Sequence, residues 1–135
     1  MNRDLLINKT ATLEHAVRRA EEEYSKNSTS FDNDQTRIDA AILNIERACE
    51  AALDIANHLI RSRKLGMPQS PQEAFELLEQ ASLIPSDLAE KMKEITDFCH
   101  LAIHDDQAIR PSMVISIIEK RLNDLLTFSK TLLQL

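Results

Sequence analysis

Glycine occurs once in the 135 residues, tryptophan not at all and tyrosine once, with four phenylalanines and four prolines. Sheet folds turn on glycine and pack with aromatic side chains, so this scarcity argues against a turn-rich β architecture. Two cysteines cannot build a disulfide scaffold. Cys49 and Cys99 are far apart in sequence and each sits among apolar residues, which predicts buried, reduced thiols. No apolar run reaches the ~20 residues that span a bilayer, and no signal peptide is recognisable. The expected compartment is therefore the cytoplasm, with no membrane as partner. Cations are in the minority, 16 Lys and Arg against 22 Asp and Glu for a net charge of -6, which argues against a general basic surface for nucleic acid. Arg61, Arg63 and Lys64 form the clearest local cluster. Such a cluster serves as a basic patch, or simply as a helix C-terminus that complements its dipole.

What remains is rich in Ala, Leu, Glu and Lys, the composition of helices, and the length suits one domain over residues 1–135. The expected fold is all-α: an antiparallel, up-and-down four-helix bundle with one additional short helix. Leu6, Leu13, Val17, Ala20 and Tyr24 place a first helix over about Leu5 to Lys26. Ile38, Ile42, Ile45, Cys49, Ala52, Ala56 and Leu59 step by four and three through a long second helix, from an Asp32 cap to about Lys64, with Gly66 as its stop. Ser70-Pro71-Gln72-Glu73 combines a hydroxyl cap, a first-turn proline and a glutamate three residues on, and opens a short third helix ending near Ser82. Pro85 and Ser86 open the fourth. A loop from Asp105 to Arg110 leads to Pro111 and a last helix with the stripe Val114, Ile118, Arg121, Leu125, Phe128 and Leu132.

The chemistry concentrates in Asp97-Phe98-Cys99-His100-Leu101-Ala102-Ile103-His104-Asp105-Asp106, which holds two of the four histidines and one of the two cysteines. At about 100° per residue, Leu88, Met92, Ile95, Phe98, Cys99 and Ala102 share an apolar stripe, while Lys93, Asp97, His100 and His104 lie opposite. Three accounts of the histidines stand side by side. They are ordinary surface residues favoured by a helix C-terminus; or they share a metal ion with Asp97, though no further cluster supports one; or they exchange protons during phosphodiester cleavage, with Arg110 as the nearest cation for the phosphate.

Four segments carry a resemblance that covers about two thirds of the chain. They are Glu46-Arg47-Ala48-Cys49-Glu50-Ala51-Ala52-Leu53-Asp54, Pro71 to Phe75, Phe98 to His104, and Ile118-Glu119-Lys120-Arg121-Leu122-Asn123-Asp124-Leu125. In order and spacing they resemble the HepT-like branch of the HEPN superfamily, small helical ribonuclease toxins paired with a minimal nucleotidyltransferase (MNT) antitoxin. The resemblance implies a homodimer whose paired motif helices line one cleft, RNA as ancestral substrate, a cognate MNT antitoxin as partner, and no metal or other cofactor. The family motif is an arginine, usually a polar residue after it, a histidine about a turn later and a tyrosine two beyond. Aligned through Phe98, the histidine falls on His104, but Cys99 stands at the arginine position, His100 at the polar one and Asp106 at the tyrosine one. The resemblance thus implies His104 as the retained catalytic residue, His100 as a partial substitute for the cation, and activity weakened at Cys99 and Asp106. It also implies that nucleotide transfer to the motif hydroxyl, the usual silencing step, is absent at Asp106. The alternative is a non-catalytic helical subunit that binds a nucleotidyltransferase and helps present its substrate.

Overall fold

A computed structural model describes residues 2–135, whose regular structure is helical, with no strand among the described residues. Six α-helices follow one another: α1 Arg3–Ser25, α2 Gln35–Ser62, α3 Pro71–Gln80, α4 Ser86–His104, α5 Pro111–Lys120 and α6 Leu122–Leu133. Single 3-10 turns at Phe31–Asn33 and Asp106–Ala108 lead into α2 and out of α4. None of these helices is long and apolar enough to cross a membrane.

The long helices meet through the stripes visible in the sequence. In α2, Ile38, Ala41, Ile45, Ala48, Cys49, Ala52, Ile55, Ala56 and Leu59 are all buried, and their many small side chains let the neighbouring helices approach closely. Lys9 pairs with Asp54 at 2.9 Å and the Asn2 backbone N–H donates to His58 Nε2 at 3.1 Å, so α1 runs antiparallel to α2. Lys91 and Glu94 of α4 reach Asp124 and Arg121 at 3.8 and 2.8 Å, which sets α6 antiparallel to α4. At the other edge of α6, Arg3 Nη1 donates to the Leu133 carbonyl at 2.8 Å. The short α3 closes the core with Phe75, whose ring meets Phe128 of α6 edge-on at 5.5 Å. All the buried apolar side chains belong to one contiguous cluster.

Three local features differ from the sequence expectation. The cap of α2 is Asp34, which accepts from Arg37 N–H at 3.2 Å, because Asp32 is taken up in the 3-10 turn that buries Phe31. The stop of α2 is Lys64 at φ 56°, not Gly66: the Leu65 N–H returns to the Ile60 carbonyl and the Lys64 N–H to Arg61, the Schellman pattern with a non-glycine residue in its left-handed position. The single last helix is broken at Arg121. There the Asp124 N–H bonds the Arg121 carbonyl, a tighter turn than the α-helix makes, and the Lys120 carbonyl is taken by Arg121 Nη1. Arg121 is drawn out of the expected apolar stripe because its Nε and Nη2 both reach Glu94 at 2.8 Å.

Candidate functional site

Helix α4 presents two chemically different sides. Phe98, Cys99 and Ala102 are buried, whereas His100 and His104 stand exposed one turn apart, their ring centroids 4.4 Å apart. The other members of the expected polar face are already engaged. Lys93 pairs with Glu76 of α3 at 3.2 Å and with Glu90 at 3.3 Å, and Asp97 Oδ1 accepts from Gln72 Nε2 at 2.7 Å. The carboxylate that would complete a metal set with the two imidazoles is therefore held by α3. Among the described residues no group of three or more His, Cys, Asp and Glu comes together to hold an ion.

Cys99, at 6% exposure, faces α2 and lines the same cavity as Cys49. Cys49 Sγ in turn lies 3.9 Å from Thr96 Oγ1, and the Thr96 hydroxyl donates to the Met92 carbonyl at 2.8 Å. The neighbouring Cys49 thiol and then burial, with the charge of Glu46 behind them, push the Cys99 thiol far above its ordinary range. It is a neutral thiol at physiological pH. Beside it lies a cavity of about 280 Å³ between α2 and α4, lined among others by Glu46, Cys49, Glu50, Thr96, Cys99 and His100. Burial raises the Glu46 carboxyl above its usual value. The lining includes two carboxyl groups and no Arg or Lys.

Asp106 falls in the 3-10 turn after α4 and lines a neighbouring cavity of about 220 Å³ with Asp39, Leu43 and Glu46. Arg110 is exposed at the start of α5, its Nη1 bonded to the Gln107 carbonyl at 3.1 Å and its backbone N–H to Met113 Sδ at 3.4 Å. The fold thus brings Cys49, Cys99 and His100 to one cavity and sets His104 beside His100, while Asp106 opens onto a different cavity and the Arg110 side chain turns back on its own loop. Glu46 and Glu50 were not anticipated as part of the site. Their signal was available, since steps of three and one from Glu46 through Cys49 to Glu50 put all three on one helix face.

This arrangement can move protons, because two solvent-facing imidazoles one turn apart can serve as proton donor and acceptor. It offers no fixed positive charge in the cavity to hold a phosphate.

Residues 13–132 match the family model described as ribonuclease HepT-like. The chain is 38% identical over 121 residues, 90% of each protein, to the mRNA nuclease HepT of Shewanella oneidensis. Among solved structures it is similar to the tri-AMPylated Shewanella oneidensis HEPN toxin in complex with MNT antitoxin, at TM-score 0.91, 37% identity and 97% coverage of both chains. It is also similar to a chain of a toxin–antitoxin structure with AMP-PNP, at TM-score 0.90 and 36% identity over 95% of this chain and 96% of that one. A family match over residues 13–132 and a relative alignable over nine-tenths of its length lead to one conclusion: the chain belongs to the HepT-like ribonuclease family.

Proposed function

We propose that this chain is the toxin member of a HEPN toxin–MNT antitoxin pair, with RNA as its ancestral substrate and a nuclease activity weakened by the loss of the motif cation. The observation that carries the reading is the exposed His100–His104 pair beside a buried neutral thiol where the family places arginine. His104 acts as the acid–base group. His100, when protonated, supplies part of the missing charge, and Arg110 is the nearest other cation in sequence. No metal takes part in this chemistry, and no cofactor is required. Loss of one electrostatic donor typically costs about 10²–10³ in rate, so slow turnover is the expected remnant.

We read α1, α2, α4 and α6 as an up-and-down four-helix bundle forming one domain over residues 1–135, supported by the antiparallel ion pairs. A homodimer pairing two α4 helices would double the imidazoles at one cleft. Ile103, 63% exposed, and Leu43, 45% exposed, supply apolar surface on α4 and α2 for that contact. The cognate MNT antitoxin is the expected partner in the cytoplasm, and related toxins are solved with such partners. Asp106 carries no hydroxyl, so control by nucleotide transfer to that position is not available to this chain.

The second reading, a non-catalytic subunit that binds a nucleotidyltransferase and helps present its substrate, is favoured by Glu46 and Glu50 in the cavity, which repel a phosphate. Incubation of the purified chain with labelled RNA separates the two. Slow cleavage abolished by His104→Ala supports the toxin, and no cleavage at any enzyme concentration supports the binding subunit.

A further inference from the structure

We infer that Cys49 and Cys99 form a redox-modifiable dithiol site, oxidised by hydroperoxides to a disulfide that ties α2 to α4 beside His100. The inference rests on the side-chain cluster and its cavity, independently of any nuclease activity.

The two thiols come from helices that meet only in the folded state, and they are the only cysteines in the chain. Both are free, both are 6% exposed, and both line the same cavity of about 280 Å³. That cavity gives a molecule as small as a peroxide a path to the sulfurs without opening the core. The surroundings of the two thiols separate their roles. The neighbouring Cys49 and then burial push the Cys99 thiol up, so Cys99 keeps its proton. The Cys49 thiol is held below its ordinary value, first by Cys99 and then by Thr96, whose Oγ1 lies 3.9 Å from the sulfur. Cys49 is therefore the thiol that ionises first, and the thiolate is the reactive form.

The chemistry balances in two steps. The Cys49 thiolate attacks one peroxide oxygen, the O–O bond breaks and, after protonation, water or alcohol leaves with Cys49 as the sulfenic acid. The Cys99 sulfur then attacks the Cys49 sulfur, its proton goes to the departing oxygen, and a second water leaves with the S–S bond formed. Each disulfide consumes one peroxide. Closure draws the two sulfurs to about 2.05 Å. In a reducing compartment such a bond is transient, the usual form of a cytoplasmic redox device.

The test is intact-mass thiol counting on the full-length protein, with iodoacetamide added under denaturing conditions before and after hydrogen peroxide. The untreated chain should take two alkyl groups. The oxidised chain should take none, weigh two hydrogens less, remain a single chain on a non-reducing gel, and regain both thiols with dithiothreitol. In Cys99→Ser, dimedone should trap a sulfenic acid at Cys49, and in Cys49→Ser no disulfide or sulfenate should accumulate. Two alkylatable thiols surviving peroxide treatment would overturn the inference, as would a disulfide between chains. The wild-type measurement decides even if a serine variant folds poorly.

Discussion

Restoring the family cation by Cys99→Arg is the sharpest test of how the α4 site has changed. A guanidinium at a position 6% exposed would cost several kcal/mol if it were left buried and unpaired. Here it has both room and partners. The cavity of about 280 Å³ opens beside Cys99, and Glu46 and Glu50 line it. Pairing with Glu46, whose carboxyl is held above its usual range by burial, offsets much of the cost, so the net loss of stability should be about 1–2 kcal/mol. The same guanidinium would face His100 across the cavity and supply the phosphate-binding charge, raising the RNA cleavage rate by about 10²–10³. Labelled RNA is incubated with wild type and Cys99→Arg, each with and without His104→Ala. A folded Cys99→Arg variant that cleaves no faster than wild type would refute the electrostatic argument. Cleavage that survives His104→Ala would refute the role of the imidazole. A second readout tests the pairing alone, since an adjacent positive charge favours the carboxylate and the Glu46 titration followed by NMR should move to lower pH in the variant.

Two further predictions concern stability. Phe128 is fully buried and meets Phe75 edge-on, so Phe128→Ala should cost about 3–5 kcal/mol in urea denaturation, whereas Met67→Ala at an exposed position should change it by less than about 0.5 kcal/mol. Equal effects at the two positions would overturn the packing assignment. Glu46 has a folded pKa raised by burial, so the folded state holds its proton more tightly than the unfolded chain. Its contribution to stability is present below the unfolded carboxyl pKa and is lost as pH rises through the folded value. Glu46→Gln should therefore be neutral to stabilising at pH 7 and should flatten the dependence of the denaturation midpoint on pH just above the ordinary carboxyl range. A variant less stable than wild type at pH 7 would reverse the sign of the argument.

The helical fold and the two-sided character of α4 were legible in the sequence because both are local. A period near 3.6 in the apolar positions fixes which side of each helix turns inward, and Ser70-Pro71 marks a helix start whatever lies around it, as the Ser70 Oγ bond from Glu73 N–H at 3.1 Å bears out. The family resemblance was equally local, resting on short runs of residues in order. The tertiary structure decided what periodicity cannot encode, namely which helix lies against which stripe. Only packing α4 on α2 could set Cys99 against Cys49 and bring Glu46 and Glu50 into the same cavity. Only packing on α3 could engage Lys93 and Asp97 and leave the histidines as the free part of the polar face. The pairing of Arg121 with Glu94 of α4 is likewise a tertiary contact that the local pattern does not encode.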